Sequence, residues 1–258
     1  MGVRAVSAIV ASIGATHPWN IAGVGLDARV AAEYGLQHVV AVAGVTAQDA
    51  LQVRAVLPMP GRVVQAQLDS LPPEIAAFRI GALISSENIR IVSDFLASRD
   101  RTPIVVDPVL GASTGEVLWT NASYLDDLRG RLLRLPVVVT PNLDEVALLL
   151  HLKPVHDLET MLQAARDLVE NGAWAALVKG GHLAGDPADV LATASETKVF
   201  EGTRLAGNMR GTGCVLAMSL ACELALGREL ADAIENARAY VRKKIAAGTR
   251  FGSLQTAF

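Results

Sequence analysis

The chain holds only two cysteines in 258 residues, carries no run of more than three consecutive lysines and arginines, and contains no apolar run long enough to cross a membrane as a helix. Each absence excludes something. Cys214 and Cys222, if they share one helix, stand about 12 Å apart at ~1.5 Å of rise per residue, too far for a disulfide. Reduced thiols in a cytoplasm are therefore expected. A net charge of −3 and a pI near 6.0 without a basic patch argue against a nucleic-acid backbone or an anionic membrane surface as partner. Repeats, low-complexity tracts and linkers are missing, as is a Walker A loop. Arg4 followed by the apolar stretch Ala5 to Ala15 has the ingredients of a weak secretory signal, but it reads better as a buried first strand running into a loop.

What is present is apolar mass. With 51% hydrophobic and 19% charged residues, the length suits one large α/β core, and a single domain over residues 1–258 is expected. Short apolar runs alternate with longer periodic segments, the pattern of a parallel sheet covered on both faces. Strands are predicted at Ser7–Gly14, Val39–Val45, Arg79–Leu83, Ile104–Asp107, Val137–Thr140 and Ala175–Lys179, with short ones near Asp189–Thr193 and Lys198–Phe200. Helices are predicted at Gly23–Gly35, Gly61–Leu71, Asn88–Ser98, Ala122–Leu133, Leu143–His151 and Leu158–Asn171. A further helix carries Cys214, and a final one runs from Leu230 to Ala247. Such sheets bind ligands at the carboxyl ends of their strands. Gln48, Asp107, Asn142, Glu145 and Gly180-Gly181-His182 all fall just after predicted strands.

Gly211-Thr212-Gly213-Cys214 opens a helix. Two glycines permit a sharp turn that exposes backbone N–H groups, and the helix dipole aims positive charge at whatever lies in front, which suits an anion. Glycines also serve as plain turn residues. The thiol of Cys214 lies in the first turn, where a dipole lowers a cysteine pKa and makes thiolate available as base or nucleophile.

Asn142 and Glu145, three apart at another helix start, suit hydrated Mg²⁺ but equally form an N-capping pair. Lys179, at a strand end before two glycines, is placed either to reach a phosphate or to face solvent. His182 reads as a loop histidine. Gly23-Val24-Gly25-Leu26-Asp27-Ala28 satisfies a dinucleotide fingerprint, but it follows a loop instead of a strand and lacks the acidic residue about twenty positions on.

Taken together, these residues resemble the ribokinase-like superfamily and, within it, the hydroxymethylpyrimidine phosphate kinases of thiamine biosynthesis. The resemblance runs through Ala22-Gly23, Asp27, Val45-Thr46-Ala47-Gln48, Ile80-Gly81, Val106-Asp107-Pro108-Val109, Thr140 to Glu145, Val178 to Leu183, Asp189-Val190-Leu191 and Gly211 to Cys214. Most ribokinase-like enzymes carry aspartate where Cys214 stands, so cysteine points to the pyrimidine branch. The resemblance implies a three-layer α/β/α sandwich with a mostly parallel central sheet, use of ATP and Mg²⁺, and a homodimer. It implies that Gly211, Thr212 and Gly213 form an anion hole over the transferring phosphoryl group, with Cys214 as base. Asn142 and Glu145 would organise Mg²⁺, and Asn142, Lys179, Gly181 and Thr212 would lie along ATP. Gln48, Ala22, Asp27, Thr46, Ala82 and Val109 would line the substrate, the Gln48 amide pairing with a ring nitrogen and its neighbouring amine.

The first loop departs from the family. Its usual Asp-x-Ser-Gly-Gly is His17, Pro18, Trp19, Asn20 and Ile21 here, so Trp19 either stacks on a ring or packs at the surface. The family methionine after Ile-Gly is Ala82, and the histidine before the glycine turn is Arg210. A pyridoxal-type kinase and a catalytically silent pyrimidine-binding relative stay open as alternatives.

Overall fold

A computed structural model describes residues 8–49, 52–99, 101–111, 120–206, 209–251 and 254–258. Arg4 and Ala5 to Ser7, the start of the apolar stretch, lie outside the described residues. In chain order the elements are β1 (Ile9–Thr16), α1 (Gly23–Glu33), β2 (Gln37–Gln48), β3 (Val53–Pro58), α2 (Gly61–Asp69), β4 (Ile75–Ile80), α3 (Ser86–Leu96) and β5 (Ile104–Val106). Then follow α4 (Ala122–Gly130), β6 (Val137–Val139), α5 (Leu143–Leu150), α6 (Leu158–Glu170), β7 (Ala175–Lys179), β8 (Ala188–Thr193) and β9 (Thr197–Glu201). The chain ends with β10 (Met209–Arg210), α7 (Thr212–Ala225), α8 (Leu230–Ala247), β11 (Thr249–Phe251) and β12 (Leu254–Thr256).

The main sheet runs β3-β2-β1-β4-β5-β6-β7-β8-β9. Its centre, from β2 to β7, is parallel. Antiparallel strands close both edges, β3 on one side and β8 with β9 on the other. Each central strand is sealed on two faces by separate apolar layers, which is why the strands read as continuous Val, Ile and Ala runs. Residues of α2 to α6 form one layer with Ile13, Phe78 and Val106, and residues of α1, α7 and α8 form the other with Val10, Ala77 and Val105. The three-layer sandwich expected from the resemblance is therefore present. No helix among the described residues is long and apolar enough to cross a membrane.

Four differences from the predicted elements have local causes. β3 was not anticipated: as an edge strand it presents exposed residues such as Leu57, and it pairs only with the last five residues of β2. β4 begins at Ile75, so Arg79 sits inside a strand instead of starting one. The helix predicted over Ala122–Leu133 stops at Gly130, and a 3-10 turn, Leu132–Arg134, completes it. Strands β10 to β12, of two or three residues, form a small second sheet too short to carry a period.

Candidate active site

Two loops need glycine. Gly211 precedes α7 at φ 82°, and a Cβ there would lie 2.3 Å from the Ile21 carbonyl oxygen. Gly23 opens α1 at φ 63°, where a Cβ would lie 2.3 Å from the Ala15 carbonyl oxygen. These approaches seat the N-terminus of α7 against the first loop and α1. No side chain caps α7, and its first helical bond runs from Val215 N–H to the Gly211 carbonyl. The amides of Thr212, Gly213 and Cys214 thus point forward without a partner inside the helix, as first-turn amides do.

A row of buried charges faces them. Arg79, 1% exposed in the middle of β4, donates from Nη1 to Asp27 Oδ2 at 3.2 Å and from Nη2 to Asp107 Oδ2 at 2.8 Å. Asp107 accepts from Lys179 Nζ on its other oxygen at 2.9 Å, and that ammonium lies 3.9 Å from Glu145 Oε2. Gly213 packs on the same ammonium: a Cβ there would sit 3.1 Å from Nζ. Lys179 is therefore no solvent-facing lysine. Its side chain is 13% exposed, and its backbone N–H donates to the Pro141 carbonyl, fixing the end of β7 beside Asn142.

Asn142 and Glu145 form the capping box at the start of α5. Glu145 N–H donates to Asn142 Oδ1 and Asn142 N–H donates to Glu145 Oε2, both at 2.8 Å. No three His, Cys, Asp or Glu side chains among the described residues converge on a possible metal position. Mg²⁺ needs no such cage, since it keeps several waters and takes one or two carboxylates plus phosphate oxygens. The fit falls on Glu145, whose Oε2 serves the cap and whose Oε1 takes no hydrogen bond among the described residues, while Asn142 Oδ1 is already used by the cap.

The charges interact strongly. Burial works to raise the pKa of Asp107, but Lys179 and Arg79 overcome it and hold the carboxylate below its ordinary value. Burial opposes the charge on Lys179, and Asp107 and Glu145 more than restore it. Burial pushes Asp27 up to about 6 against the pull of Arg79, and pushes Glu145 up to about 7 against Lys179. For Cys214 the outcome reverses the expectation from the helix dipole. Burial, with Asp107 and Asp27 adding repulsion, pushes the thiol up to about 11, although Arg79 and the Gly23 N–H pull it down. At neutral pH Cys214 is a thiol.

The remaining sequence candidates gather at the same edge of the sheet. Ala22 caps α1, Ala82 and Val109 are half-buried after β4 and β5, and Thr46 is buried beside Thr16, whose carbonyl accepts from Thr46 Oγ1 at 3.4 Å. Gln48 is half-buried on the part of β2 that overhangs β1 and pairs with β3. Gly181 has open space around it, whereas a Cβ on Gly180 would lie 2.0 Å from the Ala188 carbonyl oxygen. His182 is exposed. Asp27 stands apart: it is fully buried and its carboxylate turns into the protein toward Arg79, so it does not face the open edge.

In the first loop Trp19 is half-buried, and His17 is 7% exposed with neither ring nitrogen hydrogen-bonded. Arg79 is the residue that sequence reasoning missed. A charge inside the apolar run Ile75-Ala76-Ala77-Phe78-Arg79-Ile80 was the available signal, because a buried arginine demands partners.

The phosphomethylpyrimidine kinase family model matches residues 19–257. A hydroxymethylpyrimidine/phosphomethylpyrimidine kinase of Streptomyces coelicolor is 36% identical over 247 residues, covering 95% of this chain and 91% of that one. Among solved structures, a phosphomethylpyrimidine kinase of Clostridium difficile superposes with a TM-score of 0.81 at 24% identity, over 92% of this chain and 99% of its own. The pyridoxal kinase of Staphylococcus aureus in complex with AMP-PCP superposes with a TM-score of 0.88 at 25% identity, over 98% and 93%. A glycine turn that opens an uncapped helix onto Lys179, with a cysteine in its first turn, accords with these likenesses, and the chain belongs to the phosphomethylpyrimidine kinase family of phosphotransferases.

Proposed function

We propose that this protein transfers the terminal phosphoryl group of ATP to the hydroxymethyl oxygen of 4-amino-5-hydroxymethyl-2-methylpyrimidine, to the corresponding monophosphate, or to both, in thiamine biosynthesis. The observation that carries this reading is the meeting of the free first-turn amides of α7 with Lys179 and Cys214 at one sheet edge. Phosphoryl transfer depends on alignment and charge stabilisation more than on covalent help. Thr212, Gly213 and Cys214 supply N–H donors to the transferring group, and Lys179 supplies a cation held in place by Asp107. Mg²⁺, bound through Glu145 and water, would neutralise charge on the phosphates.

Cys214 would accept the proton of the alcohol. It can do so only as thiolate, its own proton having first passed to solvent; in a loose transition state the alcohol proton leaves late, so a sulfur ionised in a small fraction of the molecules suffices. A monophosphate acceptor, with a second pKa near ~6, is already largely ionised and needs the base less. Gln48 would hold the pyrimidine edge, with Thr46, Ala82, Val109 and Ala22 around the ring and Asp27 acting at one remove through Arg79. Asn142, Gly181 and Thr212 would border the nucleotide. A single domain over residues 1–258, assembled as a homodimer, completes the proposal.

The test is purified protein with Mg-ATP and, separately, the pyrimidine alcohol, its monophosphate and pyridoxal. ADP release and product mass are read for each. Turnover of a pyrimidine acceptor above pyridoxal supports the reading. The opposite preference makes the protein a pyridoxal-type kinase, and pyrimidine binding without ATP consumption makes it a silent relative.

A further inference from the structure

Arg79 enters the roles above only as the link to Asp27, yet it is the most buried cation of the site and, among the described residues, it hydrogen-bonds both Asp27 and Asp107. Around Cys214 stand Arg79 from β4, Asp107 after β5, Asp27 and the Gly23 N–H from α1, and Lys179 from β7, with Glu145 of α5 beyond that lysine. Two carboxylates in this group oppose a thiolate. Arg79 is the guanidinium that lies against both of them and within electrostatic reach of the sulfur.

We propose that Arg79 is the positioning residue of this site: it pins Asp27 and Asp107 at the two ends of its guanidinium and supplies the charge against which Cys214 gives up its proton. Geometry favours this over mere packing. A buried ion triad is seldom more stable than well-packed apolar residues of the same volume, so stability alone is a weak reason to keep one. One orphaned donor, Arg79 Nε, and one orphaned acceptor, Asp27 Oδ1, remain within it. The direction of effect also follows. Removing Arg79 leaves two unopposed carboxylates near the sulfur and raises its proton affinity, whereas neutralising Asp27 removes a repulsion and lowers it.

The consequence for catalysis rests on the proposed function, but the test does not. Iodoacetamide alkylation of the Cys214 peptide is followed by mass spectrometry from pH 7 to 11 in the native protein, Arg79→Met, Arg79→Lys and Asp27→Asn. Arg79→Met is expected to slow alkylation about tenfold or more at fixed pH, and Asp27→Asn to speed it by roughly the same factor, each a shift of about one pKa unit. Arg79→Lys, which keeps the charge, should stay near the native curve. Should Arg79→Met fail to fold, Asp27→Asn and the double variant Asp27→Asn/Arg79→Met carry the comparison. Shifts in the same direction for both single variants, or none for Asp27→Asn, would overturn the proposal. Opposed shifts in a protein that never consumes ATP would support it while refuting the kinase reading.

Discussion

Gly213→Ala separates what the glycine turn does for folding from what it does for phosphoryl transfer. Gly213 lies inside the first turn of α7, so alanine suits its backbone and should gain up to about 0.5–1 kcal/mol in helix propensity and lost chain freedom. That corresponds to a melting temperature unchanged or raised by about 1–3 °C for a chain of this size. The new methyl, however, would stand 3.1 Å from Lys179 Nζ and 3.9 Å from Asp107 Oδ1. An ammonium already tied to Asp107 at 2.9 Å must then give way by a few tenths of an ångström, and the gap between it and the helix amides is filled. Misplacing a reacting group by about 1 Å costs on the order of 10²-fold, so a fall of roughly 10- to 100-fold in kcat/KM is expected, or about 1.4–2.7 kcal/mol of transition-state stabilisation. ADP release with the pyrimidine alcohol and a thermal melt on the same sample measure both quantities. Activity within twofold of native would refute the assignment of that gap to the phosphoryl group. A melting temperature lowered by more than about 5 °C would show that the position serves packing instead.

The other predictions address neighbouring groups. Gly211→Ala forces a side chain at φ 82° into the Ile21 carbonyl, and a loss of about 3 kcal/mol in urea unfolding is expected from left-handed strain plus overpacking. Cys214→Ala should cut phosphorylation of the alcohol by about 10²-fold while affecting the monophosphate less, and equal losses in the two assays would remove the thiol from the role of base. Gln48→Ala should weaken pyrimidine binding by roughly 1–3 kcal/mol in calorimetry, and unchanged affinity would put the ring elsewhere. His38, whose Nε2 meets Ser12 Oγ at 2.9 Å, is held down to about 4 by burial and by Arg79. Its folded pKa lies below the unfolded one, so its contribution to stability is complete above about pH 6.5 and is lost as pH falls toward 4. Asp27, raised to about 6, acts in the opposite sense over about pH 4 to 6. The native curve minus the His38→Gln curve should therefore slope downward on acidification, and a flat difference would contradict the burial.

Local features of the site were legible because their signals are local. Gly211 to Cys214 opens α7 as the turn and periodicity indicate, and α8 runs from Leu230 to Ala247 as predicted. The Asn142 and Glu145 spacing signals a capping box, and the box is formed. What stayed hidden depends on residues far apart in the chain. Asp27, Arg79 and Asp107 join across three elements, and no spacing rule pairs positions 52 and 28 residues apart. The expectation of a low Cys214 pKa failed for the same reason. The helix dipole can be read from neighbouring residues, whereas the burial and the two carboxylates that outweigh it arrive from α1, β5 and the sheet beneath.

Those distant charges alternate in sign from Asp27 through Arg79, Asp107 and Lys179 to Glu145, and the order has a consequence for ligand charge. Three acids against two bases leave the row slightly negative when all are ionised, so side chains alone do not attract a polyphosphate. Attraction must come from the uncapped amides of α7 and from a cation brought with the nucleotide. Burial eases the balance, since Glu145 near 7 is partly protonated at neutral pH and gives up charge as an anion approaches. A free triphosphate should thus bind this edge far more weakly than its magnesium complex. Arg79 gives its Nη groups to Asp27 and Asp107, so its direct contacts stay inside the protein and its charge is largely offset there.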